Sequence, residues 1–265
     1  MRFSDLLDAA RNNPLDVTIP AEWAQGRATF GGLVAALQYE ALRAQVPADR
    51  PLRSLAITFV GPVAPDVPAS YQVEVLREGK AVSQLLGRVV QNGEVATLVQ
   101  ASFGAPRESV IDVASEAPPS FKHWDECQEL PYIKGVTPEF MRHLAMRWSV
   151  GGLPFTGNKS RDMGGWVRLR GDVKEEPLTE SHILALVDAW PPALLPHLTQ
   201  PAPGSTLTWT IEFIQPLQDL TTLDWCQYYV NIEHARDGYG HAAAALWSPT
   251  GELIAISRQT VVVFA

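Results

Sequence analysis

Two cysteines, Cys127 and Cys226, are all that the 265 residues contain. They stand far apart and outside any paired motif, so neither a disulfide framework nor a thiolate zinc cage is supported. No apolar run approaches the roughly 20 residues that cross a bilayer, and no membrane partner is expected. Positive charge is also scarce. Lys and Arg number 21 against 29 Asp and Glu, a net charge of −8, with no basic cluster longer than a pair. Phosphate-backbone recognition needs concentrated positive surface, so no nucleic-acid partner is expected. A small anionic ligand stays open, because a few local cations and a helix N-terminus suffice for it. The chain has no Gly-x-Ser-x-Gly elbow, P-loop or Gly-x-Gly-x-x-Gly fingerprint. Its six histidines (123, 143, 182, 197, 234 and 241) show no metal-ligand spacing, so no metal or cofactor is expected. The first eight residues lack the apolar stretch of a secretory signal, and a cytoplasmic location is the expectation.

What is present is an ordinary folding composition, 46% apolar and 19% charged, carrying one pattern twice. Phe59-Val-Gly-Pro62 precedes a strand-like stretch ending at Gly79, an Asn92-Gly93 turn and an apolar run through Gln100. Phe213-Ile-Gln-Pro216 precedes a stretch ending at Gly238, a turn at Gly251 and a run through Gln259. Phe59 to Gly93 is 34 positions and Phe213 to Gly251 is 38. Two copies of one unit imply two modules about a pseudo-twofold axis, with residues 1–104 and 136–265 as the modules and 105–135 as a Pro-rich surface linker.

Within the first unit, Leu6 to Arg11 can form a short helix and Val17–Ile19 a short strand. Phe30-Gly31-Gly32 opens a longer helix with apolar residues at 33, 34, 37 and 41. The paired glycines allow a neighbour or ligand to approach; tight packing into a sheet is the alternative. Four strands follow, around 55–60, 71–76, 82–90 and 95–103, with Asn92-Gly93 as a hairpin signal. In the second unit 140–150 and 163–170 read as strands. The stretch from Leu178 reads as a buried helix that Thr179 caps and Pro191-Pro192 ends. His182, at its start, reads as solvated.

These residues resemble the type II, double hot-dog acyl-CoA thioesterases. The resemblance rests on Phe30-Gly31-Gly32, Phe59-x-x-Pro62, the strand from Val73 to Gly79 and the Asn92-Gly93 turn. It continues through Leu186-Val187-Asp188, Thr206-Leu207-Thr208-Trp209 and Ser257-Arg258-Gln259. It implies an α+β tandem hot-dog fold, in which each of two curved antiparallel sheets wraps a long helix. It also implies hydrolysis of acyl-CoA by a water held between an aspartate, a hydroxyl residue and a glutamine, without a cofactor. Those roles fall on Asp188, Thr206 and Gln259. The family often has an acidic residue and a histidine just after the hydroxyl; here Thr208 and Trp209 stand there. By strand alternation Thr206, Thr208 and Thr210 share a face, so any of them could face the site.

The chemistry asks for a base, a held water and donors for the developing oxyanion. Burial beside an apolar helix would raise Asp188 from about 3.9 toward useful basicity; its alternative reading is a helix-ending polar residue. Gln259 lies in an apolar strand where its amide needs a partner, unless it sits on an exposed face. Gln100 is taken as its match in the first repeat. Gly31 and Gly32, with Thr208, are the candidate substrate-binding residues, backbone amides at the helix entry being suited to negative charge. A hot-dog hydratase or dehydratase, and a non-catalytic acyl-thioester binding protein, are the rival readings. Hydratases use an Asp…His pair, and here the next histidine after Asp188 is His197, beyond two prolines. Curved sheets with open edges commonly pair, so a homo-oligomer is expected.

Overall fold

The computed structural model describes residues 1–170 and 175–265. The first unit runs α1 (Phe3–Asn12), β1 (Val17–Thr18), a small hairpin of β2 (Ala24–Gln25) and β3 (Ala28–Thr29), and α2 (Gly31–Arg43). It then continues with β4 (Leu52–Phe59), β5 (Pro68–Glu78), β6 (Val82–Gln91) and β7 (Glu94–Gly104). The second runs β8 (Leu144–Val150), β9 (Asp162–Leu169), α3 (Glu180–Asp188), β10 (Gly204–Phe213), β11 (Cys226–Arg236), β12 (Tyr239–Trp247) and β13 (Leu253–Val263). Eleven strands form one antiparallel sheet in the order β1-β5-β6-β7-β4-β10-β13-β12-β11-β9-β8. The two units meet where β4 pairs with β10.

Helices α2 and α3 are apolar on nearly every side, and both are accordingly interior. All residues of α2 from Gly32 to Leu42 are buried, as are those of α3 from Ser181 to Val187. A helix without a polar face cannot lie on a surface. The sheet therefore curls around α2 and α3, which pack against each other. Helix α1 closes over α2 with Phe3, Leu6, Leu7 and Ala10, a spacing that makes one helical face. The fold is the tandem hot-dog that the resemblance implies.

The register of β4 on β10 locates the pseudo-twofold axis. Ala56 pairs with Thr210, Leu55 with Ile211 and Ile57 with Trp209. Rotation about the Ala56–Thr210 pair exchanges Leu55 with Trp209, Ile57 with Ile211 and Phe59 with Phe213, as the Phe-x-x-Pro motifs require. The next strands extend the equivalence. Leu55 pairs with Ala101 on β7, and Trp209 with Gln259 on β13. The structural match of Gln259 is therefore Ala101, not Gln100. Gln100 is exposed on the outer face, and its match is Arg258.

Where the helices cross at the other end, a buried charge is neutralised. The Glu40 carboxylate is only 6% exposed. It accepts from Arg11 Nε at 2.7 Å and Nη2 at 2.9 Å, and from Ser181 Oγ. Removing one partner of such a pair leaves an uncompensated charge. Arg11→Ala is expected to lower unfolding free energy by about 2 kcal/mol, below the ~3–5 of fully buried pairs because the guanidinium is half exposed. The Arg11→Met/Glu40→Met double variant should recover most of the loss, and urea unfolding measures both.

Three local expectations are corrected. Residues 139–142 form a 3-10 turn, and the strand begins only at Leu144. His182 is buried, not solvated: its Nδ1 accepts from the Thr179 backbone amide at 3.2 Å at the start of α3. Burial, with Arg11 adding to it, pushes its pKa down to about 4, so the ring stays neutral. Part of the 105–135 stretch also packs. Phe121, Trp124 and Cys127 join Ala145, Trp166 and Trp225 in a second small cluster.

Candidate active site

Asp188 is the last residue of α3, and the chain after it cannot remain helical, since Pro191 and Pro192 follow. That end of α3 abuts the first turn of α2, whose two glycines make the approach possible. A Cβ on Gly31 would lie 3.0 Å from Asp188 Oδ2 and 3.2 Å from Phe59 Cζ. On Gly32 it would lie 2.7 Å from Phe30 Cζ, 2.9 Å from Asp188 Cβ and 3.0 Å from the Leu184 carbonyl oxygen. Glycine is thus required at 32 by packing and by the site together. The Gly32 amide is directed at the Asp188 carboxylate, at the positive end of α2. That amide serves the carboxylate in this state rather than standing free for an oxyanion.

On the opposite side, Gln259 Nε2 donates to Asp188 Oδ1 at 3.0 Å. This fixes the amide orientation and leaves Gln259 Oε1 to accept from a water or ligand. The Asp188 side chain keeps some solvent access, yet protein surrounds the carboxyl group. Burial pushes its pKa up to about 7, against the lowering effects of the Gln259 and Gly32 donors. A carboxylate so placed is half ionised near neutrality, as a general base should be.

The threonines separate. Between Thr206 and Thr208 the pairing of β10 with β13 slips by one residue: Thr206 faces Val261, Thr208 faces Thr260 and Trp209 faces Gln259. Leu207 is the extra residue of a β-bulge, which breaks strict alternation. Thr206 therefore shares the inner face with Trp209 and Gln259, while Thr208 and Thr210 face outward with Thr260 and Arg258. The expectation that all three threonines share one face is overturned, and Thr208 is not brought to Asp188. Among the described residues, the Thr206 hydroxyl makes no hydrogen bond, and it is half-buried.

Sequence reasoning missed two neighbours of the site. Tyr228, on the inner face of β11, feels the Asp188 charge and stacks on Trp190 at 5.1 Å. Phe59 enters from the first repeat and rests on Gly31. Its place in a repeated motif was visible; its neighbour was not.

The first repeat carries the same framework without the chemistry. It has the same bulge, between Leu52 and Ser54 on β4. At the positions of Thr206 and Gln259 it has Leu52 and Ala101, both fully buried. Aliphatic side chains fill that half. Among the described residues no cluster of His, Cys, Asp or Glu could hold a metal.

Known proteins place this geometry. A family model described as the acyl-CoA thioesterase N-terminal domain matches residues 19–104, and the model for the acyl-CoA thioesterase C-terminal domain matches residues 124–263. Among solved structures, a hot-dog protein from Alicyclobacillus acidocaldarius superposes with a TM-score of 0.82 at 23% identity, covering 94% of this chain and 92% of that one. An acyl-CoA thioesterase II from Mycobacterium marinum superposes at 0.72 and 20% identity, covering 94% and 92%. Both likenesses are of fold. Acyl-CoA thioesterase 2 of Haemophilus influenzae is 28% identical over 252 residues, 88% of this chain and 86% of that protein. The chain belongs to the acyl-CoA thioesterase family.

Proposed function

We propose that the chain hydrolyses acyl-CoA thioesters with one water held by Asp188, Gln259 and Thr206. The observation that carries this reading is the 3.0 Å bond from Gln259 Nε2 to an Asp188 carboxyl group raised to about 7. Ionised Asp188 takes a proton from the water, whose oxygen attacks the thioester carbonyl carbon. The carbonyl π pair moves to oxygen, and its return expels the CoA sulfur. Asp188 returns the proton to the thiolate, leaving free acid and CoA thiol. Gln259 Oε1 and Thr206 Oγ1 orient the water, and positioning of this kind lowers the entropic part of the barrier.

The test is a panel of acyl-CoAs followed at once for thiol release and enoyl absorbance. Thiol release supports hydrolysis. Loss of enoyl absorbance without thiol supports a hydratase, and binding without turnover supports a carrier. A second result concerns the bulge. Thr206→Val is expected to lower kcat by about tenfold to a hundredfold, on the scale of a lost water-orienting hydrogen bond of ~1–3 kcal/mol. Thr208→Val, on the outer face, should leave kcat within about twofold. Equal losses in the two variants would contradict the assignment.

The same proposal places the protein in the cytoplasm, where its substrate would be met, and takes 1–104 and 136–265 as its two modules. Among the described residues no helix is long and apolar enough to cross a membrane. It also takes the protein as a homo-oligomer: the sheet ends on one side at β1, only two residues long, while Gln128 and Leu130 cover the β8 edge on the other, and light scattering measures the mass.

A further inference from the structure

The pseudo-twofold axis that matches Phe59 with Phe213 also matches Gly61 with Gln215, two residues further on. The backbone keeps the same register there. Val60 N donates to the Ala96 carbonyl oxygen and Ile214 N to that of Ile254, both at 2.9 Å. Ala96 and Ile254 each stand five residues before the matched pair Ala101 and Gln259. The helix starts correspond as well. Gly31 opens α2 against Asp188, and Glu180 opens α3 against Tyr39.

At the first repeat's end, side chains close the space between these points. Gln215 Nε2 donates to Glu180 Oε1 at 3.0 Å and to the Leu52 carbonyl oxygen at 3.3 Å. Leu52 is fully buried there, and Phe213 is only 4% exposed. At the end that holds Asp188, the places of Gln215, Glu180 and Leu52 are taken by Gly61, Gly31 and Thr206. A Cβ on Gly61 would have nothing within 4 Å beyond its chain neighbours. Phe59 and Thr206, the matches of Phe213 and Leu52, are only half-buried. The Thr206 carbonyl oxygen receives the Ser205 hydroxyl at 3.4 Å, where Leu52 receives an amide. One frame thus occurs twice. A carboxamide latches it shut over the empty site and is missing over Asp188.

The latch indicates what fits the open copy. It is an amide whose N–H meets the carbonyl of a residue at the start of a strand. Coenzyme A carries its acyl group on an arm of secondary amides, and an ethylene link joins the sulfur to the first amide nitrogen. A thioester carbon set against the water of Asp188, Thr206 and Gln259 brings that nitrogen to the Thr206 main chain. Building on the thioesterase reading, we propose that the arm enters between Gly61 and Gly31, and that its first amide N–H donates to the Thr206 carbonyl oxygen as Gln215 Nε2 does to that of Leu52. Gly61 then determines specificity by carrying no side chain. Thr206 holds the water with its hydroxyl and the arm with its carbonyl, so that one residue sets the distance between the two reactants.

The experiment transfers the latch as Gly61→Gln. The position has open space and a φ outside the left-handed region, so the added side chain is accommodated. KM for butanoyl-CoA is expected to rise about tenfold or more with kcat within about threefold, because the glutamine competes with the arm and leaves the base in place. The pH profile of kcat should keep its inflection. Gln215→Gly, at the end without chemistry, should leave both constants within about twofold. A second comparison uses the unaltered chain. S-butanoyl-N-acetylcysteamine should exceed its N-methyl analogue, which lacks the N–H, by roughly tenfold in kcat/KM, the scale of one hydrogen bond. Gly61→Gln should erase that difference. Calorimetric binding of CoA runs alongside, and if Gly61→Gln fails to fold, the N-methyl comparison decides. Thiol release with KM and CoA affinity unchanged in Gly61→Gln, and with equal rates for the two cysteamine thioesters, overturns the entry route and leaves the thioesterase reading intact. No thiol release from any thioester, with CoA affinity lowered in Gly61→Gln, overturns the thioesterase reading and supports the entry route.

Discussion

Asp188→Asn is expected to reduce thiol release from acyl-CoA by about a hundredfold to ten-thousandfold, the range over which a positioned general base contributes. Asparagine keeps the size of the carboxylate and can still accept from Gln259 Nε2 through its carbonyl, so the pocket should keep its shape. What is lost is the ability to take a proton from water. The same variant should be more stable than the parent at neutral pH. Burial raises the Asp188 pKa in the folded chain from 3.8 to about 7. Between those values the folded state holds a proton that the unfolded state has released. Parental stability therefore falls as pH rises from about 4 to about 7 and is level above that. Asparagine removes this cost, so its advantage should be absent at about pH 4 and complete above about pH 7. Thermal unfolding at both ends, run beside the thiol assay, checks the two claims on one preparation. A variant that is inactive and also less stable near pH 8 would point to a structural role for the carboxylate.

The second large effect is on pH dependence. If the ionised form of Asp188 is the base, kcat/KM should rise about tenfold per pH unit below about 7 and level off above it. From about pH 5 to about pH 8 that amounts to roughly a hundredfold. The cause is burial, opposed by the donors on Gln259 and Gly32. Gln259→Leu removes one lowering donor and should move the inflection upward as well as reduce the plateau. A profile that is flat below pH 7, with a substrate whose chemistry limits the rate, would remove Asp188 from the role of base.

Much of the architecture was legible because the repeat carries local marks. The Phe-x-x-Pro motifs lie at the strands that meet on the twofold axis. Asn92 and Gly93 both have positive φ (54° and 82°), as a tight hairpin demands. The near-absence of polar residues in 183–187 signalled a buried helix. The site was legible only through a resemblance, because an aspartate before two prolines and a glutamine in a strand are each ordinary alone. Two errors have a common origin in single-residue register. The bulge at Leu207 leaves no compositional mark, so alternation placed three threonines on one face. Gln100 was matched to Gln259 by residue type, although counting eight from Gly93, as from Gly251 to Gln259, arrives at Ala101. In a strand a slip of one residue turns a side chain from core to solvent, and here it concealed the loss of the first repeat's glutamine.

That asymmetry is the centre of the account: one frame is built twice, and only the second copy keeps the chemistry. Leu52 and Ala101 stand in the first repeat where the second has Thr206 and Gln259. Calorimetric titration of the Asp188→Asn protein with octanoyl-CoA tests this most directly, because the ligand is held without being consumed. The account predicts saturation at one equivalent per chain. Saturation at two equivalents would contradict it.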